Sequence, residues 1–292
     1  MDEGIARKFR ELRRLLASFS TALVSFSGGV DSTLLAFLAH RELGGNMQAI
    51  IISSPLTPPR EIQRAVDTAC KLGFPLGVAE TDETSIPGFI LNPRDRCYLC
   101  KKHRLFLLKR MAAERGYECV LDGSHRDDAL SHRPGARALE EEGAVSPLKA
   151  AGLNKAEVRA LALHCGLPNW DAPSRPCLAT RFPYGIELTP ELLRRVDVAE
   201  EALEGMGLRE LRVRLEGPDW ARIEAGREEM RLLKGKERRG YLVKKFREFG
   251  FRRIDLDLEG YRSGSMDEES RGKRVLTLSE AGWGGSRSRP EG

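Results

Sequence analysis

The stretch SFSGGVDS, residues 25–32, decides the fold, because it joins an apolar run to a segment of helical spacing. The preceding run, TALVSF at 21–26, is typical of a buried strand, and STLLAFLAHREL at 32–43 has the apolar spacing of a helix. Gly28 and Gly29 let the backbone approach an anion closely, and the N-terminus of the following helix directs N–H groups at negative charge. The stretch therefore predicts a phosphate-binding turn at the carboxyl end of a strand.

Polar side chains in the same stretch suit a nucleotide with its metal ion. Ser27 and Ser32 add hydroxyl donors, and Asp31 offers an oxygen ligand for Mg²⁺. The stretch lacks the Gly-Lys-Ser/Thr ending of a Walker A loop, so we expect no lysine of that kind on the β- and γ-phosphates. The alternative is an ordinary glycine-rich turn between a strand and a helix.

Strand-like and helix-like segments alternate through the first half of the chain. Glycine and proline bound the segments, with proline at helix starts and glycine after helix ends. This alternation predicts a parallel sheet covered by helices on both faces, which is a Rossmann-like α/β domain. The predicted strands are 21–26, 49–53, 76–80 and 118–123, and the predicted helices are 32–43, 59–73, 101–116 and 154–166, the last with a capping box of Asn154 and Glu157.

The pattern changes after the proline-rich segment 173–190. A helix over 189–207, a strand over 208–216 and a helix over 227–249 indicate a smaller α+β domain. The end of the chain is rich in Gly, Ser, Arg and Glu and poor in periodic apolar residues, which is typical of disorder. We therefore expect domains at 1–172 and 173–262 and a largely disordered tail at 263–292.

Composition excludes several classes of protein. The 292 residues carry a net charge of +5 and are 41% hydrophobic, as in an ordinary globular protein of one large or two medium domains. The mild positive charge suits an anionic small molecule, and with no concentrated basic face we expect no nucleic-acid partner. With no membrane-length apolar run and no secretory signal, we expect no membrane partner and a cytoplasmic protein.

The six cysteines divide into two groups. In a reducing compartment they are not expected to form disulfides. Cys70, Cys119 and Cys165 lie on apolar faces of predicted elements and are expected in the core. Cys177 lies in PSRPCLATRFPYG, whose three prolines predict a rigid, irregular loop. Three roles are open for the Cys177 side chain: a small hydrophobic group in the core, a metal ligand, or a sulfur that takes part in a reaction.

Cys97 and Cys100 form a Cys-x-x-Cys pair in RDRCYLCKK, at the start of a predicted helix. Flanking arginines and lysines favour thiolates there. A structural zinc site needs a second pair of ligands nearby, and the sequence has none. A thioredoxin-like redox pair directly follows a strand, whereas a predicted loop precedes Cys97. A third, distant thiolate would instead allow an iron–sulfur cluster with one iron open to exogenous sulfur. An exposed pair without a partner is the alternative.

Taken together and in order, these motifs resemble the LarE family of sulfur transferases within the PP-loop ATP pyrophosphatases. The resemblance runs from about residue 4 to 262 and is most specific around Cys177 and in SPLKAAGLNKAEVRALALHCGLP. It implies a PP-loop ATP-binding domain and a sulfur-transfer domain, with ATP and Mg²⁺. The implied reaction adenylates the carboxylates of pyridinium-3,5-dicarboxylic acid mononucleotide and converts them to thiocarboxylates, for synthesis of the nickel-pincer nucleotide.

The family resemblance implies two routes for the sulfur. In some members the cysteine matching Cys177 loses its sulfur and becomes dehydroalanine. Others carry cysteines matching Cys97, Cys100 and Cys177, which are thought to hold a 4Fe-4S cluster. This sequence has all three, so we expect the cluster form, supplied by sulfide or a cysteine desulfurase, in a homo-oligomer.

The resemblance also implies the residues that bind the substrates. Arg212 and Arg214 alternate onto one face of a strand and are expected to clamp the substrate phosphate, the alternative being an exposed basic strand. Arg181 is expected to hold an anionic group. The other implied site residues are Glu200 and Glu224 near the substrate, with a surface-helix alternative, and Asp127 and Asp128 near the nucleotide or Mg²⁺.

Two rival functions remain for the chain. One is a tRNA thiolase, and the other is a non-catalytic nucleotide or Fe-S sensing module.

Overall fold

The computed structural model describes residues 2–130, 134–233 and 235–262, which form two compact units. The first unit comprises Met1–Ile86 and Asp95–Pro176. The second comprises Pro87–Arg94 and the chain from Cys177 onward. A short segment from the first half of the sequence therefore belongs with the second half. The tail predicted at 263–292 lies outside the described residues.

The first unit contains a four-stranded parallel sheet in the order β3-β2-β1-β4, which confirms the predicted parallel sheet. From β1 the chain moves outward to β2 and β3 and then returns to place β4 on the other side of β1. Ligands of such sheets bind at the carboxyl ends of the strands where the order reverses, here between β1 and β4. The strands are β1 (Ala22–Phe26), β2 (Met47–Ser53), β3 (Leu76–Glu80) and β4 (Cys119–Leu121).

Eight helices of the first unit lie among the described residues. The second helix is the most buried, because apolar side chains surround it, and it packs against β1. The predicted capping box is confirmed: Asn154 Oδ1 accepts from the Glu157 N–H, and Glu157 Oε2 accepts from the Asn154 N–H, both at 2.9 Å. The helices are α1 (Glu3–Ala17), α2 (Val30–Leu43), α3 (Pro59–Leu72), α4 (Arg96–Arg115), α5 (Arg126–Leu130), α6 (Pro134–Glu142), α7 (Pro147–Ala150) and α8 (Lys155–His164).

Two of the three cysteines expected in the core are found against it. Cys119 and Cys165 are half-buried beside the core of the first unit, and burial raises the pKa of Cys119 to about 11. The prediction for Cys70 is wrong, because its side chain is exposed. On α3 the side chains that face the core are those of Ala65 and Ala69. Cys70 is one residue further along the helix, which turns its side chain by about 100° from that of Ala69.

The second unit is a small α+β domain, as predicted. Its three-stranded sheet has the order β5-β6-β7, with β5 and β6 antiparallel and β6 and β7 parallel. The helix predicted from residue 227 begins only at Lys236, after a 3₁₀ turn at Glu229–Leu233. The elements are α9 (Pro190–Gly205), β5 (Leu211–Gly217), β6 (Trp220–Ala225), α10 (Lys236–Glu248) and β7 (Arg253–Leu256).

A membrane-spanning helix needs about 20 predominantly apolar residues. Across 2–130, 134–233 and 235–262, none of the helices combines the length and the apolar character needed to span a bilayer.

Candidate functional site

The glycine turn, residues 27–32, connects β1 to α2 at the reversal point of the sheet. Gly28 has φ +74°, and a Cβ atom there would lie 2.9 Å from the Cβ of Ala65, so only glycine fits. Ser32 Oγ accepts from the Ser27 N–H at 3.2 Å and is placed to donate to the Gly29 carbonyl at 3.1 Å. Gly29 is the N-cap of α2, with no side-chain cap. The turn therefore presents the N-terminus of a 14-residue helix at the carboxyl end of β1.

Two residues contact this turn and hold it in place, and neither was predicted from the sequence. Asn169 donates from Nδ2 to the Gly28 carbonyl and to Thr33 Oγ1, each at 2.9 Å. At the end of β4, a Cβ on Gly123 would lie 3.0 Å from the backbone nitrogen of Ser32. The end of β4 therefore packs directly on the first turn of α2, which fixes the shape of the turn from two sides.

A charged cluster surrounds the first turn of α2. The Lys155 ammonium lies 2.6 Å from Asp31 Oδ2, and the Lys155 N–H donates to Asp127 Oδ2 at 2.9 Å. His125 Nε2 lies 3.9 Å from Asp31 Oδ1 and 3.5 Å from Asp128 Oδ2. The structure thus brings together three of the predicted carboxylates, and it adds a lysine and a histidine that we did not predict.

The donor set suits Mg²⁺. Asp31 Oδ1 is buried and accepts no hydrogen bond from any described residue, which leaves a carboxylate oxygen for a cation. Mg²⁺ in nucleotide sites commonly takes one or two carboxylates together with phosphate oxygens and waters. Asp31 could therefore hold Mg²⁺, which stays a prediction, and Lys155 brings an ammonium beside it from a different element of the fold.

An ion pair with a buried carboxylate links α4 to the same end of the sheet. Lys101 Nζ donates to Asp122 Oδ2 just after β4, and the other oxygen of Asp122 accepts from Ser124. Burial opposes ionisation of Asp122, but the Lys101 ammonium and the Ser124 hydrogen bonds hold its pKa below the usual range. The helix that carries the Cys-x-x-Cys pair is thereby attached beside the glycine turn.

Cys97 and Cys100 lie near the start of α4, and their spacing of three residues places them on one side of the helix. Cys97 is exposed and Cys100 is half-buried, with its Sγ 3.7 Å from Glu83 Oε1. Glu83 is fully buried and forms an ion pair with Arg104 at 2.6 Å. Glu83 and Arg104 were missed because they are distant from each other in sequence and carry no motif.

The predicted three-thiolate set is divided between the two units, with Cys97 and Cys100 in the first and Cys177 in the second. Within the part of the chain that the structure describes, no three Cys, His, Asp or Glu side chains form a group able to hold a metal ion. The pair on α4 can thus supply two ligands of a cluster, and the third remains a prediction.

Cys177 begins the Cys177 loop, residues 177–185, which opens with a 3₁₀ turn at Leu178–Arg181. Its side chain is half-buried, and its carbonyl accepts from Thr180 Oγ1 at 2.8 Å and from Arg181 Nη1 at 3.2 Å. The loop is irregular, as predicted from its prolines. Polar contacts to its backbone hold the loop, so the backbone that carries the Cys177 side chain is fixed.

Arg181 forms a buried bidentate ion pair with Glu200 of α9. Arg181 Nε and Nη2 donate to the two carboxylate oxygens at 2.8 and 3.0 Å, and the Val213 N–H also donates to Glu200. Burial disfavours the Glu200 carboxylate, but the Arg181 charge and its hydrogen bonds hold its pKa below the usual value. Burial rules out the surface-helix alternative for Glu200.

Arg212 and Arg214 share one face of β5, as the strand period predicts, and both are buried. Arg214 forms an ion pair with the fully buried Glu224 at 2.9 Å and donates from Nη1 to the Thr180 carbonyl at 2.7 Å. Burial excludes the exposed basic strand and the surface position of Glu224. Arg214 thus reaches the Cys177 loop.

The Arg212 guanidinium stacks on Tyr261, a residue that sequence reasoning missed. The distance to the ring centroid is 4.8 Å, and Nη2 lies 3.5 Å from the phenol oxygen. Burial, with the nearby Arg181 charge, lowers the pKa of Arg212 to about 10. A buried guanidinium near two others favours a bound anion, because added negative charge offsets their repulsion.

Comparison with known proteins places this arrangement in a family. The NAD synthase profile matches residues 10–86, which contain the glycine turn and β1 to β3. An uncharacterized protein of Synechocystis sp. is 41% identical, over 92% of this chain and 98% of its own length. A glutamine-hydrolyzing GMP synthase protein of Pyrococcus furiosus is 27% identical, over 71% of each chain.

The Lactiplantibacillus plantarum protein named pyridinium-3,5-bisthiocarboxylic acid mononucleotide synthase is 36% identical over 90% of this chain and 95% of its own. Because so much of the chain is matched, the match spans both units and includes the Cys177 loop and the arginines of β5. Identity at this level over nearly the full length of both chains indicates shared ancestry. The protein therefore belongs to the LarE family of PP-loop ATP pyrophosphatases.

Proposed function

We propose that the protein is an ATP-dependent sulfurtransferase that converts the carboxylates of pyridinium-3,5-dicarboxylic acid mononucleotide to thiocarboxylates for the nickel-pincer nucleotide. The observation that carries the proposal is that one chain combines the Asp31–Lys155 phosphate turn with a cysteine on an arginine-anchored loop. The name of the L. plantarum relative gives its product, a pyridinium-3,5-bisthiocarboxylic acid mononucleotide, and the dicarboxylic acid is the compound that yields this product when sulfur replaces oxygen.

The first half-reaction activates the carboxylate. A ring carboxylate oxygen attacks the α-phosphorus of ATP, pyrophosphate leaves, and an acyl adenylate forms. The glycine turn and Lys155 are suited to the phosphates, and Asp31 to the Mg²⁺ that neutralises them. Activation is needed because a carboxylate oxygen is a poor leaving group, whereas AMP is a good one. A sulfur nucleophile then attacks the acyl carbon, AMP leaves, and no atom changes oxidation state.

The buried arginines of the second unit support binding of an anionic mononucleotide. Three guanidiniums, those of Arg181, Arg212 and Arg214, are buried there with the carboxylates of Glu200 and Glu224. Guanidinium forks match the geometry of phosphate oxygens, so we assign Arg212 and Arg214 to the substrate phosphate.

For the sulfur source we propose a 4Fe-4S cluster held by Cys97, Cys100 and Cys177, which would supply sulfide from its open iron. Support comes from the two thiols in one turn of α4 and from the electropositive residues around them. Sulfide or a cysteine desulfurase would replenish the sulfur. We also propose a homo-oligomer, which light scattering of the purified chain tests.

The alternative route uses Cys177 itself. Its thiolate attacks the acyl adenylate, AMP leaves, and a thioester forms. Loss of the Cα proton of Cys177 then breaks its Cβ–S bond, which leaves dehydroalanine in the chain and a thiocarboxylate on the product. Each chain would react once by this route.

The decisive experiment supplies the mononucleotide and Mg-ATP to anaerobically purified protein. Pyrophosphate release that depends on the mononucleotide, with replacement of oxygen by sulfur in the product mass, is expected. Absence of both, or tight salt-sensitive binding of tRNA with thiolation of the RNA, would refute the proposal. Iron that is bound by the wild type and absent from Cys97→Ser would support the cluster route. Conversion of Cys177 to dehydroalanine without iron would overturn it.

A further inference from the structure

Asn92 combines three features that are rare in one residue. It lies in Pro87–Arg94, the segment of the first half that belongs to the second unit. Its side chain is fully buried, although asparagine is usually exposed. Its backbone has φ +47°, and among the described residues it is the one non-glycine with positive φ. A buried amide in this position needs hydrogen-bond partners, and these show what the side chain holds.

The amide of Asn92 donates to three carbonyls of the Cys177 loop. Nδ2 lies 3.2 Å from the Ala179 carbonyl and 3.0 Å from those of Phe182 and Pro183. Carbonyls only accept, so these contacts fix the amide orientation, with the –NH₂ group toward the loop. One side chain thus ties together the residues on both sides of Arg181.

Backbone contacts from the same segment extend this attachment. The Gly185 N–H donates to the Asn92 carbonyl at 3.4 Å, and the Leu188 N–H donates to the Ile90 carbonyl at 2.7 Å. Arg214 holds the loop separately through the Thr180 carbonyl. The left-handed conformation at Asn92 ends the 3₁₀ turn Phe89–Leu91, and so directs the side chain at the loop.

We propose that Asn92 is a positioning residue that fixes the Cys177 loop for sulfur transfer. The inference rests on the proposed function and assigns a role to a residue that no motif marks. Transfer between a sulfur and an acyl carbon needs the reacting atoms close and aligned, and small displacements cost large factors in rate. The glycine turn and its charged cluster supply the ATP contacts of adenylation, and Asn92 touches neither these nor Arg212 and Arg214, so we expect Asn92 to act on the second half-reaction.

Two variants separate the amide from the backbone conformation. Asn92→Gly accepts φ +47° without strain but removes the donors. Asn92→Asp keeps the shape and tolerates the left-handed region, but it places carboxylate oxygens against three carbonyls. Asn46→Gly is the matched control, because Asn46 is exposed on the other unit.

We expect both Asn92 variants to release pyrophosphate at close to the wild-type rate. Thiocarboxylate formed per pyrophosphate should fall at least about tenfold, as expected for a displaced reacting group. In protein stripped of iron, iodoacetamide should alkylate Cys177 several-fold faster in both variants than in the wild type, measured by peptide mass spectrometry, because the loop is released. Asn46→Gly should match the wild type in all three measurements.

If Asn92→Gly and Asn92→Asp formed as much thiocarboxylate per pyrophosphate as the wild type, the inference would be overturned. Equal loss of both half-reactions with unchanged Cys177 alkylation would also overturn it, since Asn92 would then act only on folding. Failure of the proposed function is a separate result: the wild type itself would make no thiocarboxylate, and the alkylation rates would still decide whether Asn92 holds the loop.

Discussion

The ammonium of Lys155 lies 2.6 Å from the Oδ2 atom of Asp31, although the two residues are 124 positions apart. Asp31 is in the first turn of α2, and Lys155 is the first residue of α8. The glycine turn has no Walker-type lysine in its sequence, and α8 places an ammonium beside its Asp31. The pair joins a carboxylate suited to Mg²⁺ with an ammonium suited to phosphate.

Lys155→Met is expected to lower mononucleotide-dependent pyrophosphate release by roughly 100-fold, the usual cost of removing one charge that stabilises a transition state. Lys155→Arg should restore part of the rate, because the charge returns with different geometry. Lys149→Met on α7 is the control, since its side chain is 44% exposed and its ammonium lies 4.0 Å from Glu140. An unchanged rate in Lys155→Met would contradict a phosphate role.

Asp31→Asn is expected to raise the Mg²⁺ concentration needed for half-maximal pyrophosphate release, because an amide oxygen is a weaker ligand than a carboxylate. Titration of activity with Mg²⁺ at fixed ATP measures the shift. Asp67→Asn, an exposed carboxylate on α3, should leave the titration unchanged. The same midpoint in Asp31→Asn and the wild type would exclude Asp31 as a ligand.

Local patterns in the sequence were sufficient to predict the sheet, the glycine turn and the capping box of α8. Each depends on residues within one helix or one strand–turn–helix unit. Lys155 and Asn169 could not be predicted as parts of the turn, because their contacts follow from the strand order β3-β2-β1-β4. Strand order is set by packing of the whole unit, which no short motif encodes.

The arginines of β5 show the same limit. Period-two alternation predicted that Arg212 and Arg214 share a face, and this is confirmed. Their burial was not predictable, since it depends on Glu224, Tyr261 and the Thr180 carbonyl, contributed by three other segments. Asn92 was missed for the same reason, because its three partners are about 90 residues away in sequence.

Tyr261→Ala is expected to weaken binding of inorganic phosphate by about tenfold, because Arg212 loses the ring that holds it. Tyr261→Phe keeps the ring and should bind nearly as the wild type does. Isothermal titration with phosphate is the measurement, and Tyr241→Ala, an exposed tyrosine on α10, is the control. Equal affinity in Tyr261→Ala and the wild type would show that stacking does not position Arg212.

Glu200→Gln is expected to lower the free energy of unfolding at pH 7 by about 3–5 kcal/mol, because Arg181 is left buried without its carboxylate. The neighbouring Glu201→Gln is a matched control, since Glu201 is exposed on the same helix and should change stability little. Urea unfolding of both variants measures the difference. A small loss in Glu200→Gln would mean that water reaches the Arg181–Glu200 pair.

The stability difference between the wild type and Glu200→Gln should also depend on pH, with a defined sign. The folded pKa of Glu200 lies below its unfolded value, so its ionised form adds stability above the unfolded pKa, near 4.5, and this stability is lost as pH falls through the folded pKa. As pH falls below about 4.5 the wild type therefore loses stability toward that of Glu200→Gln, and the gap between them narrows. Urea unfolding at pH 7 and at several acid values follows this gap directly. A gap that stays constant down to the acid limit of folding would show that the Glu200 side chain stabilises the fold through packing, and that its charge on Arg181 contributes little.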